Sequence, residues 1–159
     1  MNYFDPLSPP FWLTIGVAIL CGAIVGLERP LRGKPAGVRT SCLICLSTAI
    51  FVHLGSGIMN AGSDPTRVLG QLVTGVGFLG AGVILARGGV VTGVTTAAVI
   101  WVLAAVGAAI GFGHLLGAIA LSIVTVGILT GVELLESKVF HLRGGVYSSA
   151  RSEKGDDSH

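Results

Sequence analysis

The stretch Val90–Phe112, VVTGVTTAAVIWVLAAVGAAIGF, continues for 23 residues without a charge. A helix rises about 1.5 Å per residue, so about 20 residues cross the roughly 30 Å hydrocarbon core of a bilayer. A soluble surface helix would show a polar face at a period of about 3.6 residues, whereas here apolar and small residues occupy every face. Working outward, four more uncharged runs flank it: Leu115–Val132 on one side, and Val68–Ala86, Thr40–Met59 and Phe11–Leu27 on the other, the five holding 17 to 23 residues each. A Lys, Arg or Asp at the centre of a membrane helix costs about 2.5–3.5 kcal/mol, which explains why every charge lies outside the runs.

The composition agrees. Of 159 residues, 52% are hydrophobic and 11% charged, against about 25% charged in soluble domains. That excludes a soluble globular domain, and the high hydrophobicity excludes a disordered chain. The expected fold is all-α, a polytopic membrane helix bundle of five transmembrane helices (11–27, 40–59, 68–86, 90–112 and 115–132) within a domain at 11–136. An extracytoplasmic segment, 1–10, precedes it and a flexible cytoplasmic tail, 137–159, follows.

Lys and Arg set the orientation. Arg29, Arg32, Lys34 and Arg39 lie between the first two runs, Arg87 follows the third, and Lys138, Arg143, Arg151 and Lys154 follow the fifth. With five crossings these share one side and Arg67 stands alone on the other, so the N-terminus is expected outside and the C-terminus inside. Met1–Pro10 carries no basic residue, and the first run therefore reads as a retained helix rather than a signal peptide.

Lipid tails give helices no hydrophobic reason to associate, so close contact relies on small residues. Ala18, Gly22 and Gly26 form a stripe at spacing four, on which helices, or two copies in a homodimer, could pack. Gly70, Gly75, Gly77, Gly80 and Gly82 make the third helix glycine-rich, and Thr92, Thr95 and Thr96 can bond back to their own helix or across to a neighbour. Gly75–Gly80 matches GxGxxG, but it lies inside an apolar run with no acidic residue between Asp64 and Glu133, so a dinucleotide site is rejected. Cys42 and Cys45 form a CxxC without a second pair or a nearby His; with Cys21 they read as small buried hydrophobes rather than a metal or redox site. His53 is either a packing residue or a proton-binding group.

Three polar groups remain. Glu28, Arg29, Lys34, Arg39 and Thr40 fill the loop between the first two runs. A lipid-phosphate anchor accounts for the cations but not for Glu28, whose expected partner is Arg39 at the base of the second helix. Asp64 precedes Pro65 as a natural N-cap, followed by Arg67 and Gln71 on one face; an amide in lipid needs a partner, so Gln71 is expected to face the bundle, where it could line a cavity. Glu133, Glu136 and Lys138 close the fifth run as a solvated helix end.

On the stretches GLER (Gly26–Arg29), KPAGVRT (Lys34–Thr40), DPTRVLGQLVTGVGFLGAGVIL (Asp64–Leu85) and GVTTAAVIW (Gly93–Trp101), the chain resembles the MgtC/SapB family of bacterial inner-membrane proteins. The resemblance implies a five-helix domain in the bacterial cytoplasmic membrane. It further implies a part in growth at low magnesium, acid tolerance and survival in host phagocytes, and partners such as the membrane ATP synthase; it does not imply magnesium transport. Ser41 stands where the family often has His or Asn, and Pro30 where a longer polar residue is common. The cytoplasmic C-terminal domain of many members is not expected in a chain of this length.

The functional expectation is a non-enzymatic membrane protein that modulates ion homeostasis through membrane partners. No cofactor or bound metal is expected. The alternative is a small transporter or channel for protons or monovalent ions through His53, Gln71 and the Thr92–Thr96 cluster. Magnesium conduction is disfavoured because that ion demands oxygen ligands, usually carboxylates. An enzyme is not expected, since neither a nucleophile–base arrangement nor an HExxH or Walker motif occurs. A net charge of +2, already explained by topology, argues against nucleic acid as a partner.

Overall fold

In a computed structural model of the chain, which describes residues 6–57, 66–87 and 90–152, the order of elements is α1 (Pro9–Leu31), α2 (Val38–Gly57), α3 (Thr66–Val83), β1 (Leu85–Arg87), β2 (Val90–Thr92), α4 (Val94–Gly111) and α5 (Leu115–Ser152). The chain is therefore an all-α bundle with one small hairpin. Four helical segments, Pro9–Leu31, Val38–Ser56, Val94–Gly111 and Leu115–Val132, are long and apolar enough to cross a membrane. The expected third span falls short in hydropathy, not in length, among the described residues, because α3 carries Arg67 and Gln71 near its start.

Element boundaries differ from the uncharged runs in three places, each for a local reason. Helix α1 passes the end of its run and takes in Glu28, Arg29 and Pro30. Pro9 and Pro10 sit in its first turn, where a missing N–H is no loss, and Pro30 falls in the last turn, which Gly33 closes with φ +63 and an N–H donated to the Pro30 carbonyl at 3.1 Å. The expected continuous helices at 68–86 and 90–112 are instead trimmed by an antiparallel hairpin that pairs Leu85 with Thr92, Ala86 with Val91 and Arg87 with Val90. Val90, Val91 and Thr92 are β-branched and favour extended backbone. Gly93, at φ +88, then turns the chain into α4. Finally, the expected flexible tail at 137–159 is helical as far as Ser152. Leu134, Leu135, Val139, Phe140 and Leu142 repeat at helical spacing among the charges there, and Gly144–Gly145 does not interrupt it.

The compact unit that ends at Thr125 has α2 at its centre. A Cβ added at Gly22 or Gly26 of α1 would stand 2.6 Å from the Cys42 Cα or 2.7 Å from the Val38 Cα. On the other side, a Cβ at Gly107 or Gly111 of α4 would stand 2.5 Å from the Cys45 carbonyl oxygen or 2.7 Å from the Val52 Cβ. From Gly22 to Gly26 the partner on α2 moves back from Cys42 to Val38, whereas from Gly107 to Gly111 it moves forward from Cys45 to Val52. Helices α1 and α2 are thus antiparallel, and α2 and α4 parallel. The core between them is Ala18 and Cys21 of α1, Cys45 and Ala49 of α2, and Val106 and Ile110 of α4, closed by Ala118 of α5. A second cluster, Val76 with Ile100 and Ala104, seats α3 on α4.

Candidate functional site

The polar cluster of this bundle grows from the last turns of α1. Because the helix continues through Pro30, Glu28 and Arg32 fall one turn apart, and the Arg32 Nε donates to Glu28 Oε1 at 2.8 Å. Spacing i,i+4 with the acid first is the favourable orientation on a helix. Arg29 points inward, only 1% exposed, and its Nη2 donates a 2.9 Å hydrogen bond to the Thr96 Oγ1 in the first turn of α4. Its Nη1 lies 3.6 Å from Glu28 Oε2, and Glu28 is itself 7% exposed. The cluster therefore joins the end of α1 to the start of α4 through one carboxylate, two guanidinium groups and one hydroxyl. Among the described residues, the buried Glu28 Oε2 and Arg29 Nε lack a hydrogen-bond partner. Buried polar atoms left in that condition are uncommon and costly.

The expected partnership of Glu28 with Arg39 does not form. Arg39, Thr40 and Lys34 are exposed on or beside the α1–α2 connection, and Glu28 uses Arg32 and Arg29 instead. Once the helix passes Leu27, the arginine one turn on is closer than one across the connection. Ser41 is fully buried against Gly26, the residue that leaves it room. Of the two threonines, Thr96 is buried and Thr95 exposed.

The other expected polar group is elsewhere. Val68 of α3 lies against Gly55 near the end of α2, whereas α1 places Gly26 against Val38 at its beginning, so Arg67 and Gln71 sit at the opposite end of α2 from Glu28. Both are exposed. Gln71 lines an open cleft of about 590 Å³ between α2 and α3, with Ser47, Phe51 and Leu54 opposite. Val76 and Gly80 occupy the face of α3 that meets α4, and Gln71 lies away from that contact, on the cleft. Asp64, and the side chains of Glu133, Glu136 and Lys138, lie outside the described residues.

Small residues and thiols divide in the same way. Ala18, Gly22 and Gly26 are taken up by α2, so the surface expected to suit a homodimer is occupied inside the chain. Gly75, Gly77 and Gly82, expected to pack, meet nothing within 4 Å, and Gly80 makes an ordinary contact with Trp101 at 3.6 Å. Gly107 and Gly111 do pack, and their spacing of four in the fourth run was the signal that would have found them. Cys21 and Cys45 are buried core residues, while Cys42 donates to the Ile19 carbonyl at 3.4 Å. All three cysteines are free thiols. No grouping of three His, Cys, Asp or Glu able to hold a metal occurs among the described residues. His53 is half-buried in a small recess with Phe11, Thr14 and Ile15 of α1.

Residues 15–138 match the MgtC family. The protein named "Putative magnesium transporter YhiD" of Escherichia coli strain K12 is 50% identical over 103 residues, covering 60% of this chain and 47% of its own length. Protein MgtC of Salmonella typhimurium strain LT2 is 39% identical over 115 residues, covering 72% of this chain and 49% of its own. An uncharacterized protein of Haemophilus influenzae is 39% identical over 127 residues, 74% of this chain and 52% of the relative. The chain thus spans about half the length of the curated relatives it matches. No solved structure matches it.

Proposed function

This chain belongs to the MgtC family and is a multi-pass membrane protein; on that premise we propose that it acts without catalysis, modulating ion homeostasis and growth at low magnesium or under acid stress. It does so by binding other membrane components at its cytoplasmic end, the membrane ATP synthase being the partner that the family resemblance suggests. The magnesium-related name of the YhiD relative supports a role of this general kind.

The observation that carries the reading is the burial of Arg29 with Glu28 and Thr96. Replacing a buried ion pair by apolar residues of similar size is often neutral or stabilising by about 1–4 kcal/mol. A bundle needing only stability would do as well with two leucines there. The pair instead holds charge at the end of the bundle where Lys34 and Arg39 are exposed, a surface suited to an acidic partner at the membrane boundary. A conduction route receives less support. His53 faces the α1–α2 recess, Gln71 the α2–α3 cleft and Thr96 the Arg29 cluster. Two arginines engage the Glu28 carboxylate.

The test is complementation of a bacterial strain that lacks its own copy and grows poorly at low magnesium. The double variant Glu28→Leu/Arg29→Leu is expected to reach wild-type levels in the membrane by immunoblot yet fail to restore growth, and Arg39→Ala to restore it only weakly. Full growth with the double variant would overturn the assignment. An ion flux through purified protein in liposomes that disappears in His53→Ala would replace it with transport.

A further inference from the structure

The buried cluster at the end of α1 is incompletely bonded on both of its sides. Arg29, 1% exposed, has one hydrogen-bond acceptor for its side chain among the described residues, Thr96 Oγ1 at 2.9 Å, and its Nε is unbonded. Glu28 uses Oε1 on Arg32, whose Nε donates to it at 2.8 Å, and leaves Oε2 without a donor. Both unbonded atoms are closed to solvent, so bulk water cannot complete them. Yet Glu28 Oε2 stands 3.6 Å from Arg29 Nη1, against about 2.7–2.9 Å for a charge-assisted hydrogen bond.

The same groups therefore admit a second pairing. If Glu28 closes on Arg29, the carboxylate leaves Arg32 and the guanidinium is drawn off Thr96. Glu28 and Arg29 are neighbours on one helix, so only side-chain torsions change. The first arrangement ties the end of α1 to the first turn of α4; the second unties it and frees Arg32. Arg32 is the solvent-facing member, 25% exposed against 7% for Glu28, and Lys34 and Arg39 are exposed on the same connection. An oxyanion arriving at Arg32 supplies the acceptor that Glu28 gives up, and its charge repels the Glu28 carboxylate toward Arg29.

We infer that the Arg32 guanidinium is the contact for a carboxylate of the acidic partner, and that binding there releases Thr96 by passing Glu28 from Arg32 to Arg29. A contact at the surface thus reaches the start of α4 through three side chains. The inference rests on the reading of this end as a partner surface, and adds which residue the partner engages and what it moves. Partner binding and the Arg29–Thr96 bond oppose each other, and such coupling is reciprocal. Breaking the bond must therefore strengthen binding.

The test uses the full chain purified in detergent and an acetylated hexaglutamate peptide, its affinity measured by calorimetry well below the melting temperature. Thr96→Val is expected to tighten peptide binding at least about fivefold, even though it weakens the bundle, and Thr96→Ser to bind like the unsubstituted chain. In a Glu28→Gln background the effect of Thr96→Val is expected to vanish, since the anion does not repel a neutral amide. Arg32→Gln is expected to lose binding. Unchanged or weaker binding by Thr96→Val overturns the inference, as does an effect that survives Glu28→Gln, or full binding by Arg32→Gln. Inorganic phosphate that binds where the peptide does not overturns the carboxylate assignment. Tightened binding together with normal growth of Glu28→Leu/Arg29→Leu would sink the proposed function and leave this coupling standing; absent coupling with failed growth would do the reverse.

Discussion

A guanidinium can donate five hydrogen bonds, and Arg29, buried at the end of α1, directs one of them to Thr96 Oγ1 while its Nε has no partner. Its position depends on a single neutral acceptor and one carboxylate. Removing an acceptor from a buried charged donor costs about 1.5–3 kcal/mol, well above the typical surface substitution. Thr96→Val, which keeps shape and removes the hydroxyl, is therefore expected to lower the thermal unfolding midpoint of the purified chain by several degrees, with Thr96→Ser retaining most of it. Equal melting of Val and wild type would mean that the bond at 2.9 Å contributes nothing. At this scale the sequence was partly legible. Glu28 stood out as an acid at a membrane edge, and Thr96 as a hydroxyl with a choice between its own helix and a neighbour. The partner of Glu28 was misjudged, because a proline and two charges mark a helix end by rule while the helix in fact absorbs all three in its last turns.

At the scale of elements, glycine decides which helices touch, and its consequences are opposite in different places. A Cβ at Gly107 would lie 2.5 Å from the Cys45 carbonyl oxygen, a backbone atom that can move only with α2. Gly107→Ala is therefore expected to destabilise the bundle by about 1–3 kcal/mol, as overpacking does. At Gly16 of α1 an added Cβ meets nothing within 4 Å, and alanine is better than glycine inside a helix by about 0.5–1 kcal/mol; Gly16→Ala should be neutral or stabilising. Parallel thermal melts of the two variants check the pair, and similar shifts would show that glycine contacts do not order the stability. Gly93→Ala joins two penalties, since φ is +88 and the new methyl would run into the Val83 carbonyl; loss of the folded fraction, read by proteolysis of membranes, is its expected outcome. The glycine content was plain in the sequence, but spacing alone could not tell a stripe facing another helix from one facing outward. Gly22 and Gly26 meet α2, an added Cβ at Gly75 or Gly82 meets nothing within 4 Å among the described residues, and only the arrangement of the helices distinguishes them.

For the whole molecule, the arrangement of α2 and α4 answers a question that hydropathy leaves open. Helix α3 is the one helix that misses the composition of a membrane span among the described residues, and with four crossings rather than five both termini would lie on the same side. Gly107 and Gly111 meet Cys45 and Val52 in ascending order on both helices, so α2 and α4 run in the same direction. Arg29, at the end of α1, meets Thr96, at the start of α4. After α2 the chain must therefore return through the full thickness of the bundle before α4 begins, and α3 with its hairpin is the segment that does so. Its 18 residues rise about 27 Å, close to the hydrocarbon thickness. Arg67 and Gln71, which lower its hydropathy, lie in its first two turns and so toward one boundary. Five crossings are then expected, and the positive-inside rule predicts that the Arg29 end faces the cytoplasm. A reporter active only in the cytoplasm is accordingly expected to function when fused after His159 and to stay silent before Met1, with a reporter active only outside giving the reverse. Activity of the same reporter at both termini would mean that α3 does not cross, and would separate the parallel pair of α2 and α4 from the membrane topology it implies.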